Sequence, residues 1–225
     1  RMQEGWHDGD DRRRARTFIN TNTKGMHDGH SLCVSRGGIS MGWFDFFKKK
    51  KQEEKVETPA EYIDADAYAK IARILTDNAE TLRRLDVCFA DPAAFARAHE
   101  ERYDERGMDA HNRISAIAWI GLVDALMEVE LACEFDWKEE LAEFIAVVRP
   151  WAEAAGLAWD TELLEENADI PVWCAALNAA WKEDGFCILR IDIDSDSYVL
   201  LLIETERAEQ VQRLAAEVGQ KMMIY

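Results

Sequence analysis

The spacing of apolar residues changes from helical to strand period at Gly185, and that change narrows the fold class more than any other feature. Before Gly185, apolar positions recur at helical intervals; from Phe186 to Ile203 they run in short β-branched stretches. Tyr68, Ile71, Ala72 and Leu75 follow helical spacing after the start signals Thr58-Pro59 and Asp64. A helical piece with Leu82 and Leu85 runs near Glu80 to Val87. Asp91-Pro92 opens another, carrying Phe95, Ala98 and Tyr103 and ending at Gly107. Asp109 is read as the start of the most apolar helix, about Ala110 to Glu130, which is apolar on more than one face and therefore central. Asp136 is read as the cap of a helix with Leu141, Phe144, Ile145, Val148 and Trp151. Pro150 should kink that helix or end it early, and Gly156 stops it. Pro171 opens a shorter helix, Val172 to Lys182.

Beyond Gly185, Phe186–Ile193 and Tyr198–Ile203 read as the two strands of a hairpin, joined by Asp194-Ser195-Asp196-Ser197. An amphipathic helix from Thr205 to Gly219 and a last strand, Lys221 to Tyr225, complete the chain. The expected fold is α+β: a mainly helical N-terminal part, then a C-terminal β-β-α-β unit forming a small, largely antiparallel sheet. Residues 59–225 are read as a single domain of this kind.

Length and charge bound the function. A core in a chain of 225 residues can bury about 70% of its unfolded surface, so no metal or disulfide is required for folding. With 27 basic and 44 acidic residues the net charge is -17, which argues against a nucleic-acid partner, whose phosphates need clustered Lys and Arg. No apolar run approaches the roughly 20 residues that span a bilayer, and the opening residues lack the layout of a secretory signal. The expectation is an acidic, cytoplasmic domain without stable membrane insertion.

Residues 1–40 are polar, Gly-rich and without periodicity. Met41 is followed by Gly42, Trp43, Phe44, Asp45, Phe46, Phe47 and Lys48 to Lys51, an opening like that of many small bacterial proteins. Gly37-Gly38 stands where a translated ribosome-binding sequence would give Gly-Gly. We therefore read residues 1–40 as translated upstream sequence; the alternative is an N-terminal extension carrying a signal such as Arg12-Arg13-Arg14. Residues 41–58 are read as an aromatic and lysine-rich start and linker. Trp43, Phe44, Phe46, Phe47 and Lys48 also have the composition of a segment that rests weakly on an anionic membrane surface.

No catalytic constellation stands out. Cys88, Cys133, Cys174 and Cys187 are widely spaced, without C-x-x-C, and read as small buried hydrophobes. His99 and His111 lack a second histidine at metal spacing and read as surface or capping residues. No G-x-S-x-G, P-loop or G-x-G-x-x-G is present, so an enzyme is not the favoured reading and no cofactor is expected. Asp192, Asp194 and Asp196 alternate like the start of an EF-hand loop and are the metal candidates. Yet Ser197 stands where that loop needs Gly and Ile203 where it needs Glu, so a solvated hairpin tip is the simpler reading.

Acidic residues gather from Glu128 to Glu143 and from Asp160 to Asp169, and Trp119, Trp137, Trp151, Trp159, Trp173 and Trp181 fall in the same stretch. The simple reading is solvated faces over a Trp-rich core. The sharper one is a footprint for a basic protein, with one or two tryptophans as anchors. Its candidates are Glu134, Asp136, Trp137, Glu139 and Glu140.

Three segments carry a resemblance: Glu134-Phe135-Asp136-Trp137-Lys138-Glu139, then Ala168-Asp169-Ile170-Pro171-Val172-Trp173, then Ile191 through Asp192-Ile193-Asp194-Ser195-Asp196-Ser197-Tyr198 to Leu200. Together they resemble an uncharacterised bacterial family, domain-of-unknown-function family 6630, in which a Trp-containing helical region leads into a hairpin with an Asp-Ser-Tyr tip. The resemblance covers the last half of the chain. It implies a bacterial, cytoplasmic α+β domain, and neither an activity nor functional residues. The functional expectation is a non-catalytic acidic protein-binding domain, of the type that inhibits a basic toxin as an immunity protein does. The alternative is a small metal- or ligand-binding domain that uses the Asp192/Asp194/Asp196 hairpin.

Overall fold

Four of the eight α-helices among the described residues begin where the sequence supplies a short side-chain oxygen. In the computed structural model, which describes residues 62–225, Asp64 Oδ1 accepts the Ala67 N–H at 3.0 Å and starts α1, Ala65–Leu75. Asn78 accepts from Glu80 and Thr81, both at 3.0 Å, and starts α2, Ala79–Ala90. Asp91 accepts from Ala94 at 2.9 Å and starts α3, Pro92–Ala98. Asp169 accepts from Val172 at 3.2 Å and starts α7, Ile170–Ala180. The expectations for residues 1–40 and 41–58, including the aromatic and lysine cluster, lie outside the described residues.

Some boundaries differ from the sequence reading. The helix expected from Asp91 to Gly107 breaks at His99, giving α3 and a short α4, Glu100–Glu105. Asp109 makes a turn instead of a cap: it accepts from His111 N–H at 2.8 Å, and α5 runs Ile114–Glu128 with Arg113 as its first flanking residue. Asp136 also serves a turn, accepting from Lys138 N–H at 2.9 Å, and α6 starts later, at Leu141–Ala155. Pro150 lies inside α6 without ending it; Gly156, left-handed at φ 71°, does. The remaining helix, α8, spans Thr205–Glu217.

The α+β class holds, with a sheet one strand larger than expected. Strands β2, Phe186–Ile191, and β3, Tyr198–Glu204, form the hairpin in a register that sets Ile188 opposite Leu202. The last strand, β4, Met222–Ile224, pairs with Leu189–Ile191. The addition is β1, Cys133–Phe135, which pairs with Tyr198–Leu200. All pairs are antiparallel, in the order β1-β3-β2-β4.

Both faces of the sheet are buried. Cys187, Leu189, Ile191, Val199, Leu201 and Ile203 share a cluster with residues of α1, α2, α3, α5 and α8. Ile188, Leu200, Cys133 and Phe135 share another with Phe144 and Val148 of α6 and Trp173 and Leu177 of α7. Helices thus cover each face, which is why β2 and β3 read as nearly continuous apolar runs. The central role expected of α5 is met: Ile117 through Leu126 are all buried.

Candidate functional site

The acidic candidates separate into two groups. Glu134 sits in β1 and turns inward: its Oε2 accepts from Arg106 Nη1 at 3.0 Å and its Oε1 accepts from Ser197 Oγ at 2.5 Å. Asp136, Trp137 and Glu140 are exposed on the loop between β1 and α6, and Glu139 is half-buried there. Trp137 is 51% exposed, against 1–2% for Trp119, Trp173 and Trp181. Lys138 Nζ lies 4.5 Å from the Trp137 ring centroid, a cation–π contact. Partial burial pushes the Glu139 carboxyl above its ordinary range, and the charges of Glu143 and Asp136 push the same way. This loop combines a large apolar ring with a locally negative field.

Glu134 instead belongs to a chain of charges that the sequence reading missed. Arg106, on the turn after α4, donates through Nε at 3.0 Å and Nη2 at 2.7 Å to Asp124 Oδ1 of α5. Ser195 and Ser197 hydroxyls lie 2.7 Å apart, so the chain continues into the hairpin tip. A parallel pair of contacts joins Arg84 and Arg102 to Glu128. Burial disfavours charge on Arg106, but Asp124 and Glu134 outweigh it and hold the guanidinium protonated. Burial pushes Asp124 above its ordinary range against the pull of Arg106, and its Oδ2 has no hydrogen-bond partner. Chemically this is a clasp: Glu134 is already held by Arg106, and the Ser197 hydroxyl is spent on Glu134 and Ser195. Only the two-residue spacing of Ser195 and Ser197, with no period linking them to Arg106 or Glu134, was visible in advance.

The hairpin aspartates do not converge. Asp192 Oδ1 accepts the Asp194 N–H at 3.1 Å and its Oδ2 lies 3.5 Å from Lys221 Nζ. Asp194 is left-handed at φ 57°, which aspartate tolerates, and Asp196 is exposed. Among the described residues, no group of three His, Cys, Asp or Glu could hold a metal ion. Asp192 and Asp194 do line a cavity of about 780 Å³, together with Trp119, Arg106, Gln220 and Lys221. Trp119 Nε1 donates to the Asp192 carbonyl at 2.8 Å and fixes that wall.

The four described cysteines are buried. Burial pushes the Cys88 thiol up to about 12 and the Cys187 thiol up to about 11, and raises Cys174 as well, so none of these three is a ready nucleophile. His99 stacks on Phe95 with ring centroids 4.1 Å apart, and His111 is exposed. Among the described residues, no helix is long and apolar enough to cross a membrane.

A family model described as a domain of unknown function (DUF6630) matches residues 67–225. No curated protein and no solved structure matches the chain.

Proposed function

This chain belongs to the DUF6630 family, and we propose that it works by binding a positively charged protein through the acidic loop that presents Trp137. One observation carries the reading: Trp137 is half-exposed between Asp136 and the Glu139-Glu140 pair, while the tryptophans of α5 and α7 are buried. Tryptophan at an exposed position with acidic neighbours fits the anatomy of a binding hot spot ringed by charge. Acidic residues around it would steer a basic partner into contact and discriminate against acidic ones. A basic toxin held by an immunity-type inhibitor is the class of partner that such a face fits.

The test begins with the protein tagged at its native locus, followed by reconstitution with the purified candidate partner. Charge reversal at Glu139 and Glu140 should slow association and flatten its dependence on salt, and Trp137→Ala should speed dissociation. A partner whose rates ignore both changes does not use this face.

The cavity beside the hairpin supports a second reading, a small-ligand site walled by Asp192 and Asp194. Its volume lies within the range of ligand pockets, and it mixes an aromatic wall with fixed charges. The metal form of that reading predicts a thermal shift with calcium, magnesium or manganese that Asp194→Asn reduces. Equal melting temperatures with and without each ion would remove it.

A further inference from the structure

Six residues of β3, Val199–Glu204, pair with β2, but only Tyr198–Leu200 pair with β1. Asn178 shows which backbone groups this leaves open. Its side chain bonds both the N–H and the carbonyl of Ile188, so those groups point away from β3. Ile188 stands opposite Leu202, and in an antiparallel ladder both members of such a pair turn their peptide groups outward. The Leu202 N–H and carbonyl therefore point to the β1 side, where β1 has already ended. No hydrogen bond among the described residues reaches them there.

A cleft of about 440 Å³ lies along this open edge. Its floor is Leu201–Glu204; its walls are Leu75–Asp77 at the end of α1 and Glu153–Gly156 at the end of α6. Since α1 packs on one face of the sheet and α6 on the other, the cleft is a gap in the sheet layer between two helical layers. It is also negative. Asp77, Glu153 and Glu204 face it, and both walls are helix C-termini, which carry partial negative charge. Arg207 is on the lining and already donates to the Ile74 carbonyl; Glu153 also accepts from Arg149 Nε at 2.7 Å, an exposed i,i+4 pair that water screens and a partner's cation can replace, while Asp77 and Glu204 add their charge beside it.

We propose that this cleft binds an extended, basic segment of a partner protein, which adds to the sheet as a strand beside Leu202. Main-chain bonds to Leu202 supply the pairing, and basic side chains answer Asp77 and Glu153. A second copy of this chain is a poorer occupant, because its own α1 and α6 flank the same edge and would meet these walls. The proposal does not rest on the Trp137 face: Trp137 follows the Phe135 end of β1, and the cleft lies beyond the Cys133 end.

The test is fluorescence anisotropy of the full chain with a labelled Lys-Val-Lys-Val-Lys peptide, capped at both ends. Binding should weaken by about tenfold or more when the peptide is N-methylated throughout, which keeps its charge but removes its donors, and by a similar factor with Ala154→Trp. Ala154 is exposed, so that variant fills the cleft without touching the core; an unchanged circular dichroism spectrum confirms this. Asp77→Lys with Glu153→Lys should also weaken binding, and the Leu202 amide should exchange more slowly when peptide is bound. Equal binding of the N-methylated peptide, or indifference to Ala154→Trp, overturns the proposal. So does absence of binding at millimolar peptide, or a dimer in sedimentation that Ala154→Trp dissociates.

Discussion

Asn178 takes the place of a strand beside Ile188. Its Oδ1 accepts the Ile188 N–H at 2.6 Å and its Nδ2 donates to the Ile188 carbonyl at 3.2 Å, at the point where β4, paired only with Leu189–Ile191, has ended. The same Nδ2 lies 3.4 Å from the Tyr225 carbonyl and ties the end of the chain to α7. Asn178 is one of the few polar side chains buried in the fold, at 8% exposure.

Asn178→Leu should therefore cost about 3 kcal/mol, because it strands two buried backbone groups at about 1–3 kcal/mol each. Urea unfolding checks this, with the midpoint falling and the slope held. Native-state exchange should show the Ile188 amide losing protection ahead of its neighbours. A stability change under about 1 kcal/mol would mean that water replaces the amide at this edge.

Gly121 is required by two side chains of other helices. A Cβ there would sit 2.7 Å from Cys88 Sγ and 3.1 Å from Tyr103 Oη. Helix propensity favours alanine over glycine by about 1 kcal/mol, but overpacking a closed core costs about 1–3 kcal/mol. Gly121→Ala should thus destabilise, and Cys88→Ala should relieve most of the penalty by removing the nearer atom. A double-mutant cycle reads the coupling; strict additivity would show that the helices shift apart freely.

The helices and the hairpin were legible because each is a local pattern: Tyr68, Ile71 and Leu75 share one face of α1, and Asp64 stands where a cap belongs. What was hidden depends on partners far away in the chain. The three residues of β1 are too few to show a period, and Cys133 and Phe135 become strand residues only because Leu200 and Tyr198 lie beside them. Asn178 reads as an unremarkable helix position until Ile188 is placed against it. Asp109 and Asp136 read as helix caps by residue type; each spends its oxygen on a turn, and the helix starts later. Of the candidate site, Trp137 was named from its acidic neighbours, but its exposure was not readable. Glu134 was assigned to the same face, and a salt bridge to Arg106 draws it away.

Alkaline stability should report the buried thiols. Burial raises the Cys187 thiol from 9.0 to about 11, against a smaller opposing pull from Thr205. The folded state then holds this proton more tightly than the unfolded state. Its contribution is complete below pH 9.0 and is lost as pH rises toward about 11, at about 1.4 kcal/mol per pH unit. Cys187→Ala should flatten the fall in stability over that window, while Cys88 and Cys174 maintain the rest. Parallel curves for the two proteins would show that Cys187 does not titrate on unfolding as described.

Trp137→Ala separates a binding residue from a structural one. At 51% exposure and with Lys138 over its ring, Trp137 contributes little to the core. Its removal should change stability by no more than about 0.5 kcal/mol, as for other surface positions. The variant should nevertheless show less acrylamide-quenchable tryptophan emission, because Trp119, Trp173 and Trp181 are sealed from solvent. If the acidic loop holds a partner, the same change should cost about 2 kcal/mol or more of binding. The contrast between an unmoved unfolding midpoint and a lost complex is the expected signature. A large loss of stability would place Trp137 in the packing of the β1–α6 loop and leave the acidic face without its anchor.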